Sequence, residues 1–249
     1  MTLTTDGIVI REQSTGESDR IITVLTRTNG VIKCFANNSK SPKNKNTAST
    51  GLLCYSDFTL SLTKNGTYIV REAAAKQVFF SLREDIVKLS LAQYFAELTY
   101  ELSPTEDSGE EFLCLLLNSI HLILTDKYSL FHIKAVTELR LMCLSGFAPS
   151  LISCGKCGAY ESERMYFDVL TGELYCNSCF TDNKSFSVSL GVISAMRHIC
   201  FSERSRIFSF SLSEESLSDL CFLCERYLKN VTMKKFKTLD FFKKIIGEI

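Results

Sequence analysis

Cys154-Gly155-Lys156-Cys157-Gly158 is answered downstream by Cys176-Asn177-Ser178-Cys179, which gives the spacing Cys-x2-Cys-x18-Cys-x2-Cys. Two thiol pairs separated by one loop can surround a single tetrahedral ion, and two residues between paired cysteines let both sulfurs turn inward. Gly155 and Gly158 supply the backbone freedom such a knuckle needs. Between the pairs, Met165 to Tyr175 reads as two short strands around Thr171-Gly172, which would return the second pair to the first. The pattern predicts a zinc ribbon with Cys154, Cys157, Cys176 and Cys179 on one Zn²⁺; iron fits the same soft donors. Four protein ligands leave no position for a substrate water, so the expected role is structural.

Upstream, the first seventy residues read as strands. Gly7 to Arg11 and Arg20 to Thr26 are β-branched runs separated by the polar turn Ser14 to Asp19. Gly30 to Phe35 follows the hairpin signal Asn29-Gly30. After a polar, basic loop at 39–46, Tyr55 to Leu62 alternates, turns at Asn65-Gly66 and returns as Thr67 to Glu72. Five short strands without long unpaired edges predict a five-stranded OB-type β-barrel over residues 1–73. Near Ala73 the period changes. Leu82, Ile86, Leu89, Gln93, Ala96 and Tyr100 share a helical face, and Pro104 stops that helix. Phe112 to Leu124 follows the candidate N-cap Ser108, and Leu130 to Ser145 ends at Gly146 before the ribbon. Val188 to Cys200, Glu214 to Asn230 and Leu239 to Ile246 read as further helices. The expected class is therefore α+β and multidomain: a barrel, then an α-helical domain over 74–249 with the ribbon inserted at about 150–183.

Composition agrees with a globular chain: 249 residues, 45% hydrophobic and 22% charged. No apolar run approaches the roughly 18 residues of a membrane helix. Met1 to Asp6 lacks the features of a signal peptide, and eleven cysteines then suggest a reducing cytoplasm. Net charge is zero but unevenly spread. Residues 1–72 carry nine Lys/Arg against six Asp/Glu, and residues 73–150 carry six against ten. Between Arg226 and Lys244 seven basic residues face only Asp240. Basic segments at both ends suit phosphate neutralisation, with Tyr55, Phe58 and Tyr68 available either for base stacking or for the barrel core.

Catalytic signals are missing. His121, His132 and His198 each sit among apolar neighbours in helical patterns, and neither Gly-x4-Gly-Lys-Ser/Thr nor Gly-x-Gly-x2-Gly occurs. A second Cys-x2-Cys, Cys221 and Cys224, falls within a helix. It reads as core cysteine, the alternative being a thiol oxidoreductase.

The order of these parts resembles the RecO family of bacterial recombination mediators. The resemblance is carried by Gly7 to Arg11, by Gly16-Glu17-Ser18-Asp19-Arg20 with Ile21 to Thr26, and by Glu138 to Pro149 leading into Cys154-x2-Cys157-Gly158. Phe167-Asp168 and Gly172 before Cys176-x2-Cys179 extend it over nearly the whole chain. Where the family carries a Gly-Ala-Arg-Arg-like segment, this chain reads Ala36 to Lys43 without arginine, so only Lys40, Lys43 and Lys45 are available from that loop. With Arg11, Arg20, Lys33 and Arg71 of the barrel they form the expected DNA-contact set.

The resemblance implies a non-enzymatic, cytoplasmic, nucleoid-associated protein. It would bind single- and double-stranded DNA, anneal complementary strands and assist RecA loading with RecR. It also implies a groove for the acidic C-terminal tail of single-strand-binding protein, with Lys134 and Arg140 as candidate rim cations. The alternative is a protein-docking scaffold with little DNA affinity, which the zero net charge favours.

Overall fold

A computed structural model describes residues 2–41, 44–180 and 185–247. Five strands come first: β1 (Thr2–Thr15), β2 (Asp19–Thr26), β3 (Gly30–Ala36), β4 (Cys54–Leu62) and β5 (Tyr68–Val78). They pair in the order β1-β2-β3-β5-β4, and β4 pairs back onto β1, closing the sheet. Only β3 and β5 run parallel, through Cys34↔Tyr68 and Phe35↔Ile69. This is the OB-type barrel expected from the alternation. β1 is long because it serves two neighbours. Thr2 to Ile8 pairs with β4 and Gly7 to Thr15 with β2, with an irregularity between Val9 and Arg11 that lets the strand bend. Inward positions fill the barrel with Val9, Ile22, Val24, Ile32, Cys34, Phe58, Leu60 and Val70.

One boundary is corrected. The strand period does not end near Ala73, because β5 continues to Val78 and pairs with Cys54 to Phe58 of β4. Three consecutive alanines favour helix locally, but pairing with β4 satisfies their backbone groups and overrides that preference. A 3-10 turn (Phe80–Glu84) leads to α1 (Ile86–Leu102), capped by the Asp85 carboxylate. The remaining helices are α2 (Glu110–Thr125), α3 (Leu130–Leu144), α4 (Leu190–Phe201), α5 (Glu214–Thr232) and α6 (Lys237–Ile246). Between α3 and α4 lie β6 (Ser150–Cys154), β7 (Met165–Asp168), β8 (Glu173–Cys176) and β9 (Phe186–Val188), in the order β6-β8-β7-β9.

The chain forms two compact units, Met1–Leu124 with Phe236–Ile249, and Thr125–Lys235. This grouping cuts across a division at 73/74. In the first unit α6 returns to α1: Phe236 meets Tyr94 edge-on with ring centroids 5.9 Å apart, and Thr238 donates its N–H and hydroxyl to Glu97. In the same unit the β2–β3 turn is seated tightly. Gly30 has φ +59, and a Cβ there would lie 2.1 Å from the Pro104 carbonyl oxygen. Val31 donates its N–H to that oxygen at 2.9 Å. Beside the turn, Arg27 lies 2.8 Å from Asp6 and 3.0 Å from Glu110, and the Tyr55 hydroxyl also donates to Asp6. The hydrogen bonds from Arg27 hold the Asp6 carboxyl down at about 2, against the opposing effect of burial.

Gly30→Ala is expected to cost more than about 2 kcal/mol, since positive φ and a backbone collision add. Gly66→Ala, at φ +75 with nothing within 4 Å of its Cβ, is expected to cost about 1 kcal/mol. Urea midpoints of the two variants would check the contrast. Asp6→Asn is expected to lose about 2 kcal/mol near neutral pH. The depressed carboxyl contributes fully above its unfolded value of 3.8 and loses its contribution as pH falls through about 2. Wild-type and variant urea midpoints should therefore converge in acid.

Candidate metal centre and nucleic-acid interface

Cys154 and Cys176 close the strands β6 and β8, and each begins a knuckle. Gly158 donates its N–H to Cys154 O at 2.9 Å; Cys179 and Phe180 donate to Cys176 O at 3.0 and 2.9 Å. Gly158 takes φ +75. Gly155 donates its N–H to Leu174 O at 2.8 Å, fastening the first knuckle to β8. The β7–β8 hairpin, in the register Met165↔Cys176 and Phe167↔Leu174, turns at Thr171-Gly172 and returns the second pair to the first. The four Sγ atoms thereby come within 4.8 Å of one another, with Cys157 and Cys176 3.6 Å apart. A tetrahedral cage with metal–sulfur bonds of about 2.3 Å needs sulfurs about 3.8 Å apart, so the cluster fits one ion. Burial opposes ionisation of Cys154, but backbone hydrogen bonds about Cys176, Cys157 and Lys156 outweigh it and bring the thiol down to about 6. Those backbone donors favour the thiolate form that a metal takes. Arg197 of α4 braces the knuckle by donating to the carbonyls of Leu151, Ile152 and Tyr160, its guanidinium 4.0 Å from the Tyr160 ring centroid.

The barrel sorts the expected DNA-contact residues into different places. Cross-strand register puts Arg11, Thr23 and Lys33 in one row, and Ile21, Phe35 and Ile69 in the next. Ile22, Val24 and Cys34 point into the core, so their neighbours Lys33 and Phe35 point outward. Arg71 flanks Val70 in the same way; it is exposed and donates to Ser61 Oγ at 2.7 Å. Lys33, Phe35 and Arg71 thus share the outer face of β3 and β5. Arg20 and Lys40 lie at the barrel's end, donating to Thr47 O and Gly16 O. Lys45 pairs with Glu72 at 2.8 Å, and Arg11 turns toward α1, 5.5 Å from the Tyr100 ring centroid. Lys43 lies outside the described residues.

Of the aromatics named from sequence, Phe58 is core and Tyr68 packs partly against it, while Tyr55 is engaged with Asp6. On the outer face of β3 the exposed ring is Phe35, at 38%, which sequence reasoning missed. Its alternation with Ile32 and Cys34 was the available signal.

The rim assignment of Lys134 and Arg140 is corrected. Lys134 is 3% exposed, 2.9 Å from Glu138 and 3.0 Å from Glu225. Burial opposes its charge, but the two carboxylates outweigh it and hold the ammonium above its ordinary range. Arg140 is half-buried and donates to the carbonyls of Ile199 and Cys200 at 3.1 and 2.9 Å. Both cations are spent inside the second unit. His132 is buried against Phe208 O and Tyr128, and His198 meets Arg206 O at 2.7 Å, whereas His121 is exposed. Cys224 lies fully buried within α5, its thiol pushed well up by burial, as core cysteine requires.

A family model described as Recombination protein O N terminal matches residues 1–79, and one described as Recombination protein O C terminal matches residues 83–240. The chain is 35% identical over 242 residues to a DNA repair protein RecO of Acetivibrio thermocellus, covering 97% of this chain and 96% of that one. It is 32% identical over 193 residues to the protein of that name from Alkaliphilus metalliredigens, covering 78% of each. With that from Caldicellulosiruptor bescii it shares 27% over 239 residues, covering 96% of this chain and 97% of the other. With both family models matching in order, one over the barrel and one across the helices and the four-cysteine sheet, the chain belongs to the RecO family of DNA repair and recombination proteins.

Proposed function

We propose that this chain is a non-enzymatic DNA-binding mediator that anneals complementary single strands and, with RecR, assists RecA loading onto strands held by single-strand-binding protein. The observation that carries the reading is the outward trio Lys33, Phe35 and Arg71 on one barrel face. Cations track phosphates there while an aromatic offers a sequence-tolerant stacking surface, which is how barrels of this order hold single strands. Arg20 and Lys40, near the barrel's end, donate to Thr47 O and Gly16 O and are proposed as secondary contacts. The ion held by Cys154, Cys157, Cys176 and Cys179 is proposed to be Zn²⁺ with a structural role, given four soft donors and a closed shell. No helix among the described residues is long and apolar enough to cross a membrane, and a cytoplasmic, nucleoid-associated location follows from the proposed role.

Lys33→Ala and Arg71→Ala should each reduce the salt slope of single-strand binding by about 1. Phe35→Ala should weaken binding by about 1–3 kcal/mol with little change in slope. Fluorescence titration of a labelled oligonucleotide at several salt concentrations reads both. Unchanged slopes and affinity in the combined variant would reject this face. Negligible wild-type affinity even at low salt would select the docking-scaffold alternative.

Elemental analysis should find about one zinc per chain. Cys154→Ser or Cys176→Ser should remove it and cost on the order of 4 kcal/mol or more, read as loss of the ribbon's amide protection in hydrogen exchange.

A further inference from the structure

Outside the metal centre, the second unit holds another close pair of sulfurs. Cys143, in the last turn of α3, and Cys200, in the last turn of α4, have Sγ atoms 3.4 Å apart and are both half-buried. The pair does not belong to the four-cysteine cluster, and nothing in the metal centre or the barrel face uses it. Its place in the chain gives it a consequence. The two residues are 57 positions apart, and the segment between them contains all four metal ligands. α3 feeds directly into β6 and the first knuckle, while β9 feeds into α4. A covalent link between Cys143 and Cys200 would close a loop around the entire ribbon.

We infer that Cys143 and Cys200 form a reversible disulfide when the protein meets peroxide or a disulfide oxidant, clamping the ribbon's base independently of the metal. A disulfide has its sulfurs about 2.05 Å apart, so each sulfur needs to move only about 0.7 Å. The helices are already held together at this point, because Arg140, one turn before Cys143, donates to the carbonyls of Ile199 and Cys200. Contact with Cys200 favours the Cys143 thiolate over the opposing effect of burial, with further help from Arg140; Cys200 is held correspondingly high. In the proposed step Cys143, on the same helix as Arg140, attacks and Cys200 resolves.

With hydrogen peroxide, the Cys143 thiolate attacks one oxygen. An S–O bond forms, the O–O bond breaks, and the departing hydroxide takes a proton to become water. Cys143 is then a sulfenic acid. The Cys200 sulfur attacks it, the S–S bond forms and the S–O bond breaks. The hydroxyl leaves as a second water with the Cys200 proton. A dithiol reverses the link by exchange. Half-burial admits a small oxidant, and the neighbouring thiol resolves the sulfenic acid before further oxidation. Closing the loop limits how far the ribbon can open when its own thiolates lose their ion.

The test uses the full-length, metal-loaded protein. It is titrated with peroxide, alkylated under denaturing conditions with chelator present, and mapped by mass spectrometry, with metal release followed by a chromogenic chelator. The expected result is a Cys143–Cys200 cross-linked peptide, a loss of two alkylatable thiols per chain, and full recovery with dithiothreitol. It should appear at peroxide concentrations at least about tenfold below those that release the metal. Cys143→Ser and Cys200→Ser should each abolish the cross-link. Cys143→Ala and Cys200→Ala do the same if the serine variants fail to fold, and Cys114→Ser should retain it. Alkylation of both Cys143 and Cys200 at peroxide concentrations that already strip the metal would overturn the inference. So would a cross-link that joins either one to a metal ligand instead.

Discussion

Four sulfurs held within 4.8 Å of one another are the constraint on which the second unit turns. β7 and β8 have four residues each and β9 three, too little backbone pairing to be stable alone. Their inward side chains, Met165, Phe167, Leu174 and Val188, are all buried, but a core of that size resembles those of small domains that rely on metals or disulfides. On the proposed reading, ligation would supply what area cannot. It would also fix direction: because Cys154 ends β6 and Cys176 ends β8, a bound ion would lock the strand that leaves α3 to the hairpin that leads back to α4. The Thr171-Gly172 turn is seated in turn by α5, where a Cβ on Gly172 would lie 2.7 Å from the Tyr227 hydroxyl oxygen and the Phe167 ring meets Tyr227 edge-on.

The first unit, whose strands run from seven to fourteen residues, secures its sheet by another route. Closure removes both edges, and every β-branched residue that alternates inward contributes to one continuous core. What a bound ion would do for the ribbon, Arg27 does for the barrel's β2–β3 turn. One guanidinium reaches Asp6 on β1 and Glu110 at the start of α2, while Tyr55 on β4 donates to the same Asp6. One charge thereby ties β1 to α2, and its Asp6 partner accepts hydrogen bonds from both Arg27 and Tyr55.

Local signals made the cysteine spacing, the five strand runs and the helix stops legible, because each depends on residues within a few positions. Departures arose where distant partners decide. Ala73 to Val78 becomes strand only because β4 offers its backbone. Lys134 and Glu138 look like an ordinary surface pair four residues apart, yet Glu225, 91 positions on, completes a buried group. No window of sequence contains that third member. α6 follows α5 closely in the chain but packs with α1, as Phe236 on Tyr94 requires. Phe35 was within reach: in a run whose neighbours Ile32 and Cys34 point inward, an aromatic at the alternate position must face out.

Zero net charge bears on how such a chain could hold a polyanion. At physiological salt, fields fade over about 8 Å, so the whole-chain balance matters less than which cations are already paired with a carboxylate. Lys45 is matched by Glu72 and Lys76 by Asp57, while Lys33 and Arg71 make no ion pair among the described residues. On the proposed reading, a face with so few unmatched cations releases few counterions, and its affinity depends modestly on salt. Stacking on Phe35 must then supply a larger share of binding than phosphate contacts do. That division favours unpaired strands, whose bases are available to stack, over duplex, whose bases are not. A mediator that acts on single strands needs this preference, and a more strongly basic barrel would weaken it by binding any phosphate backbone.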